Sequence, residues 1–263
     1  MIELTALKGN SPVGCMAAYG VLRILHLSEV DAHLFFDQET TQTTVEIAGD
    51  ELTLLNVLRD YIENHDCAPE YEVPKTGKDL LYSEFGPALY VERKNGIEKT
   101  VYNRVAGSDN VINLARKARQ AILKNAKKGK STDVYLTEAL YGPWLQNDGI
   151  STFGWNPADK KEAASLAGNK VPKSMKHRTV VGANWLAFES LPLLAPIALV
   201  SGRNEWHYPL PSRVTYEEAR ALMYGFINLK ETNLRAMKTS VYYSRAEFYS
   251  QSASCFVPSI RVV

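Results

Sequence analysis

The sequence has few cysteines and no long apolar run, and both features limit what the protein can be. Its three cysteines, Cys15, Cys67 and Cys255, are odd in number and far apart among 263 residues. We therefore expect no disulfide framework and a reducing, cytoplasmic compartment. The longest apolar run, residues 191–200, contains two prolines and is too short to span a bilayer, so no membrane partner is expected. The N-terminus lacks the basic flank and the cleavage site that are typical of a signal peptide, so no signal peptide is expected.

The motifs of the common catalytic classes are also missing. The sequence has no Walker loop, no Gly-x-Gly-x-x-Gly after a predicted strand and no Gly-x-Ser-x-Gly elbow. His65 and Cys67 are close in sequence, but no second Cys/His pair completes a tetrahedral zinc site. We therefore predict that the protein is not an enzyme and holds neither a metal nor another cofactor.

One dipeptide, His65-Asp66, keeps a catalytic alternative open. Metal phosphohydrolases use such a pair together with another histidine upstream and another aspartate downstream. No spacing singles out the further ligands from the available candidates, which are His26, His33, Asp79 and Asp109. The dipeptide lies at the end of a predicted helix, so a capping role is favoured over a metal-dependent nuclease.

Charge is distributed unevenly along the chain. Residues 1–110 carry 18 acidic and 9 basic side chains, a net charge of −9, whereas residues 111–263 carry 11 and 21, a net charge of +10. Within residues 111–178 the basic side chains outnumber the acidic ones by 13 to 5. Such asymmetry is typical of a protein that binds a polyanion or an acidic protein surface.

Two basic segments supply the predicted contacts with a nucleic-acid backbone, either RNA or DNA. The first lies on a predicted helix from Asn110 to about Lys128, where like charges repel one another until a row of phosphates relieves the repulsion. The second is the polar segment 168–178. The predicted contact residues are Arg116, Lys117, Arg119, Lys124, Lys127, Lys128, Lys130, Lys170, Lys173, Lys176 and Arg178. The alternative is a solvated helix face, or pairing with the acidic front of the same chain.

Three aromatic residues, Trp144, Phe153 and Trp155, lie between the two basic segments. Rings beside cations are able to stack on the bases of a single strand. Trp and Phe are more often core residues, however, and this interpretation is favoured here.

Periodicity predicts an α+β fold whose first part, residues 1–107, is ferredoxin-like with the order βαββαβ. The elements are a strand over Ile2–Ala6, a helix from Pro12 to about Leu27 capped by Ser11, strands at 32–36 and 43–47, a helix capped by Asp50 and a strand near 88–92. Asn95-Gly96 predicts a further hairpin.

The second part, residues 108–263, is predicted to be basic and mainly helical with a small terminal sheet. Helices are expected at 110–128, 132–141 and 183–194 and from Thr215 to about Asn228, with a last strand at 241–245. Asn184 lies on the most apolar of these helices and requires either a buried partner or a ligand. The two parts form separate domains or one continuous domain.

Two segments resemble one protein family. Residues 7–25, Leu-Lys-Gly-Asn-Ser-Pro-Val-Gly-Cys-Met-Ala-Ala-Tyr-Gly-Val-Leu-Arg-Ile-Leu, are similar to a Gly-x-x-Pro-Leu-Gly-x-x-Ala-Ala-x-Gly-Leu-Leu-Arg opening in type I CRISPR-associated proteins, particularly subtype G, formerly U. Residues 154–158 and 181–194 resemble a Trp-Asp-Pro-Ala and Gly-Ala-Asn-x-Leu-Ala-Phe-Glu-x-Leu-Pro-Leu pair of the same group. Asn156 stands where that pattern has aspartate, so it could not act as a base there.

The resemblance implies a non-catalytic subunit of a CRISPR interference complex in antiviral defence. Within such a complex the chain resembles a large-subunit-like protein or an accessory protein of the helicase–nuclease. Its partners would be guide RNA or target DNA and other subunits of the complex. A protein–protein adaptor, or a self-assembling subunit that binds no nucleic acid, is the alternative.

Overall fold

The computed structural model describes ten parts of the chain: residues 1–65, 83–104, 111–126, 131–149, 153–159, 163–164, 166–168, 178–200, 204–250 and 253–263. About 49% of the structure is helix and 24% is strand, which confirms the mixed α+β class. The predicted boundary between residues 107 and 108 falls outside the described residues.

The front of the chain forms a three-stranded antiparallel sheet with two helices. The elements follow in the order β1 (Ile2–Lys8), α1 (Pro12–Leu27), β2 (Ala32–Phe36), β3 (Gln42–Ile47) and α2 (Glu51–Asn64). Within the sheet β3 lies between β1 and β2. In β1 the side chains of Ile2 and Leu4 are buried and that of Glu3 is exposed, so the alternation that predicted the strand places one face on the core.

Both predicted helix caps in this part are present. Ser11 Oγ accepts a hydrogen bond of 3.4 Å from the backbone N–H of Gly14, and Pro12 occupies the first turn of α1. Asp50 accepts one of 2.9 Å from the N–H of Thr53 at the start of α2. Each cap satisfies an N–H group that has no partner within its own helix.

The predicted fourth strand pairs locally. A helical turn, α3 (Gly86–Leu89), leads into β4 (Tyr90–Arg93), which forms an antiparallel hairpin with β5 (Gly96–Lys99) and is followed by α4 (Val101–Arg104). The Lys94-Asn95 turn, followed by Gly96, brings β5 back onto β4 directly, and no pairing between β4 and β1 is found in the described residues. The hairpin is confirmed, but the ferredoxin-like order for residues 1–107 is not.

The second part contributes further helices. They are α5 (Val111–Ala126), α6 (Thr132–Tyr141), α7 (Val181–Glu189), α8 (Leu191–Val200), α9 (Tyr216–Gly225), a short 3-10 turn (Phe226–Asn228) and α10 (Glu231–Ala236). The capping box predicted at Thr215 is present, because Thr215 Oγ1 accepts from the N–H of Glu218 and Glu218 Oε2 accepts from the N–H of Thr215.

The apolar helix predicted over 183–194 is two helices instead. α7 and α8 meet at Ser190 with a bend of 63°. Pro192, which has no N–H to donate, lies in the first turn of α8, where its missing donor costs least. Among the described helices none is by itself long and apolar enough to cross a membrane, although the bent pair of α7 and α8 has sufficient length and apolar composition.

The terminal sheet is larger than the single predicted strand. β7 (Thr239–Ser250) pairs antiparallel with β6 (Glu205–Pro211), β8 (Ala253–Phe256) and β9 (Ile260–Arg261). β6 contains two prolines. Because proline is unfavourable within a strand, β6 was not predicted from the sequence. Two backbone hydrogen bonds of 2.8 Å between Leu34 and Val214 link β2 to the chain that follows β6.

The core is centred on the crossing of α1 and α7. Every residue of α7 is buried. At the crossing, a Cβ atom added to Gly20 would lie 1.8 Å from the carbonyl oxygen of Leu186. The two helices therefore pack backbone against backbone, which glycine permits because it has no side chain.

Candidate nucleic-acid interface

The helix α5 has one buried and one basic face. Its apolar stripe of Val111, Leu114, Ala118 and Ile122 is buried, and α5 packs against α6 and α7. The opposite face exposes Lys117, Gln120 and Lys124. The helical period of 3.6 residues explains this division, since positions 117, 120 and 124 recur on one side.

Lys117 and Lys124 form the exposed basic face of α5. They lie two turns apart, about 10 Å along the helix axis. Within the described part of the chain, no carboxylate forms an ion pair with either ammonium group. Arg116 lies on the same side, is half-buried, and donates from Nη1 to Asn113 Oδ1 at 3.4 Å. These three cations are the described residues of the first basic segment that face solvent.

Arg119 points elsewhere and has a structural partner. Its Nε donates to the carbonyl oxygen of Ile62 at 3.1 Å and its Nη2 to that of His65 at 3.0 Å. These carbonyls end α2 and have no partner within that helix, and a cation there also complements the helix dipole. Arg119 ties α5 to α2, so we leave it out of the proposed interface.

The second basic segment has one described residue, Arg178. It is half-buried and donates from Nη1 to the carbonyl oxygen of Asn147 at 2.5 Å. This contact lies next to the backbone pairing of Asp148 with Thr179, so Arg178 stabilises the short segment that precedes α7. The other predicted contacts, Lys127, Lys128, Lys130, Lys170, Lys173 and Lys176, lie outside the described residues.

The aromatic residues between the basic segments belong to the core. Phe153 and Trp155 are fully buried, with ring centroids 4.6 Å apart, and Trp155 Nε1 donates to the carbonyl oxygen of Tyr102 at 3.0 Å. Trp144 is half-buried and donates from Nε1 to the carbonyl oxygen of Ala139. The core interpretation is therefore confirmed for Phe153 and Trp155, and neither ring is exposed for stacking on a base.

Hydrogen bonds link buried polar side chains in and next to residues 154–158 and 181–194, which carry the second part of the family resemblance. Asn156 Nδ2 donates to Asp159 Oδ1 at 2.9 Å, and Thr179 Oγ1 donates to Asp159 Oδ2 at 2.9 Å. Asn184 Nδ2 donates to Thr179 Oγ1 at 2.5 Å. The buried partner predicted for Asn184 is thus present for its Nδ2, whereas its Oδ1 has no hydrogen-bond partner among the described residues. Asn156 also accepts from the N–H of Ala158, so its amide holds the turn together.

The two segments that carry the family resemblance meet in a buried ion pair. Arg23 Nη1 on α1 lies 2.7 Å from Glu189 Oε2 on α7, with side chains that are 2% and 1% exposed. Tyr61 donates to the same carboxylate at 3.2 Å, and Arg23 Nη2 also pairs with Glu84. Burial lowers the pKa of Arg23, but the carboxylates of Glu189 and Glu84 and the Tyr61 hydroxyl together raise it more, so the net shift is upward and the guanidinium stays charged.

This ion pair was missed by sequence reasoning, although a signal for it existed. Arg23 and Glu189 lie at the ends of helices whose other residues are almost all apolar and buried. A charged side chain in such a setting requires a partner of opposite sign, because an unpaired buried charge is too costly. Pairing the two isolated charges would have placed α1 against α7.

His65 occupies the structural position that the sequence favours. It is the C-terminal cap of α2, its N–H donates to the carbonyl oxygen of Tyr61 at 2.9 Å, and its ring stacks on Tyr61 with centroids 4.5 Å apart. Asp66 and Cys67 lie outside the described residues. In the part of the chain that the structure describes, no group of three or more His, Cys, Asp or Glu side chains is placed to hold a metal ion.

Comparison with models of protein families, with curated proteins and with solved structures finds no match to this chain. The assignment of a function therefore depends on the residues themselves. Of these, the exposed cations of α5 are the group with a clear partner chemistry.

Proposed function

We propose that this chain is a non-catalytic, nucleic-acid-binding subunit of a type I CRISPR interference complex, acting in the cytoplasm. The exposed basic face of α5 supplies phosphate contacts, and other surfaces dock neighbouring subunits. The observation that carries the proposal is the pair Lys117 and Lys124, which no carboxylate neutralises within the described residues.

The physical argument concerns the cost of unneutralised charge. Like charges one or two turns apart on a helix repel each other, and solvent screens this repulsion only in part. A phosphate backbone along the helix removes the repulsion and releases condensed counterions, which favours binding at low salt. The packing of α5 on α7 fixes the backbone positions of the two lysines, so the helix itself need not be reorganised on binding.

The assignment to a CRISPR complex rests on the two resembling segments. In the structure they lie against each other, because α1 packs on α7 and Arg23 pairs with Glu189. Direct contact gives both segments one structural role, and this supports the view that they belong to one pattern. The ferredoxin-like unit stays part of the proposal, since the strand order β1-β3-β2 is that of its first three strands.

A charge-reversal variant tests the interface. Lys117→Glu/Lys124→Glu is expected to weaken binding of a fluorescent single-stranded RNA or DNA by at least about tenfold in anisotropy titrations at low salt, because two phosphate contacts become repulsions. The free energy of unfolding should change by no more than about 0.5 kcal/mol, since both side chains are exposed.

The matched control is Lys94→Glu/Lys230→Glu, which makes the same change in net charge at two other exposed lysines. The control should bind within about twofold of the wild type. Equal loss in both variants would mean that only the total charge matters, and equal binding by all three proteins would exclude the α5 face. If the wild type binds no nucleic acid and instead self-associates in light scattering, the adaptor alternative is correct.

A further inference from the structure

A second basic surface lies mainly in the final part of the chain, residues 179–263, which carry 8 basic and 6 acidic side chains. A groove of about 620 Å³ has a lining drawn from α10, β7, β9 and the segment after β2. The lining residues are Gln38, Arg235, Lys238 (just before β7), Thr239, Ser240, Arg261, Val262 and Val263. No aspartate or glutamate side chain is among the described residues that line it. We propose that this groove binds a phosphate group, a role independent of the α5 face.

One of the three cations, Lys238, has no anionic partner among the described residues. In the described residues of the final part, arginines elsewhere pair with glutamates, as Arg213 does with Glu46 and Arg245 with Glu247. Within the groove only Arg235 does so, through Glu231 one turn earlier on α10. Lys238 forms no ion pair with any described residue, whereas Arg261 Nε is held by an oxygen of Val263, the last residue of the sequence. Lys238 therefore supplies the positive charge that an anion in the groove would balance.

The groove is also held rigidly. Gln38 Nε2 donates to the carbonyl oxygens of Phe36 and Leu210 at 2.8 and 3.0 Å, and its Oε1 accepts from the N–H and hydroxyl of Ser240. Arg261 Nη1 donates to the carbonyl oxygen of Gln38 at 2.9 Å. Its Nε donates to the backbone oxygen of Val263 at 3.0 Å. The guanidinium is thereby fixed in orientation, while its remaining N–H groups are available to a ligand.

The backbone of Lys238 gives a further indication. Its φ of 48° lies in the left-handed region, where a helix commonly ends in glycine or asparagine. Its N–H donates to the carbonyl oxygen of Arg235 and its own carbonyl oxygen accepts from the N–H of Ser212, so this conformation is fixed. Glycine would fit this backbone with less strain, and what lysine adds is an exposed ammonium group at the rim of the groove.

A phosphate monoester suits this set of donors better than a carboxylate does. It carries a charge of about −1.5 to −2 near neutral pH and three acceptor oxygens. An arginine held by backbone contacts presents a planar fork to such an oxyanion, and lysine adds a point charge. The phosphate could be free or mononucleotide phosphate, or the 5′-phosphate at the end of a strand, since both present the same group.

Inorganic phosphate is the first probe. Titration of the labelled full chain is expected to shift the amide resonances of Lys238 and Ser240, with saturation in the millimolar range, and sodium chloride at equal ionic strength should not reproduce these shifts. Lys238→Gln/Arg261→Gln is expected to weaken phosphate binding roughly tenfold for each cation removed. Lys230→Glu, which changes an exposed lysine next to α10 outside the groove lining, should bind phosphate as the wild type does.

A second titration separates the two sources. Tighter binding of a 5′-phosphorylated oligonucleotide than of the same strand without that phosphate, lost in Lys238→Gln/Arg261→Gln, would identify a strand end. Equal binding of both strands, with phosphate shifts retained, would identify a free phosphate. An equal response to chloride would overturn the proposal, as would unchanged phosphate shifts in the double variant. The resonances of the core around Trp185 report whether the variant remains folded.

Discussion

Replacing Glu189 by glutamine is expected to lower the free energy of unfolding by about 3 to 5 kcal/mol. The substitution keeps the shape of the side chain but removes the charge that faces Arg23 across 2.7 Å. Arg23 is 2% exposed as a side chain, so water is unable to replace the lost carboxylate. Tyr61 also loses a charged acceptor.

The remaining partner of Arg23 does not compensate for this loss. The Glu84 side chain is 38% exposed, and solvent therefore weakens its attraction for the guanidinium. Glu84→Gln is accordingly the matched control, with an expected loss of about 1 kcal/mol or less. Urea-induced unfolding followed by circular dichroism measures both variants. If Glu189→Gln were as stable as Glu84→Gln, the buried pair would not be what joins α1 to α7.

Replacing Gly20 by alanine is the second substitution with a large expected effect, a loss of about 3 kcal/mol or more. The new Cβ would lie 1.8 Å from the carbonyl oxygen of Leu186, whereas real Cβ contacts are essentially never under 3.0 Å. Both atoms at the clash belong to helix backbones, so no side-chain rotation relieves it. α1 and α7 must move apart, and the interdigitated core around them then loses contacts.

Gly225→Ala provides the control for the intrinsic effect of a methyl group. Gly225 is the last residue of α9, its φ is −81°, and a Cβ there would have no neighbour within 4 Å. Its free energy of unfolding should change by less than about 1 kcal/mol, because alanine fits this backbone without strain. A Gly20→Ala protein that melts within a few degrees of the wild type would contradict the close packing of α1 on α7.

Local signals in the sequence predicted the elements that local chemistry determines. Ser11, Asp50 and Thr215 begin helices because their side chains satisfy free N–H groups nearby, and this requires no knowledge of distant residues. The hairpin at Asn95-Gly96 is likewise determined by local residues, since Asn-Gly favours a tight turn. Pairing over long distances was not predictable in this way, since β4 found its partner in the adjacent β5 and not in β1.

The candidate interface was predicted in part. The hydrophobic period of α5 correctly separated its buried stripe from Lys117 and Lys124. It gave no means of knowing that Arg119, on the flank of the same helix, meets the end of α2. The groove around Lys238 and Arg261 was not predicted, because it joins segments that are distant in sequence. The basic residues in that part of the chain are few and form no basic run.

The salt dependence of nucleic-acid affinity tests the central claim most directly. Affinity of the wild-type protein for a single-stranded oligonucleotide is measured by anisotropy as salt rises from about 50 to about 200 mM. Contacts from Lys117, Lys124 and Arg116 to phosphates predict a linear fall of log affinity with log salt, amounting to about tenfold or more over this range. Absence of binding at the lowest salt, or an affinity that does not change with salt, would contradict the account.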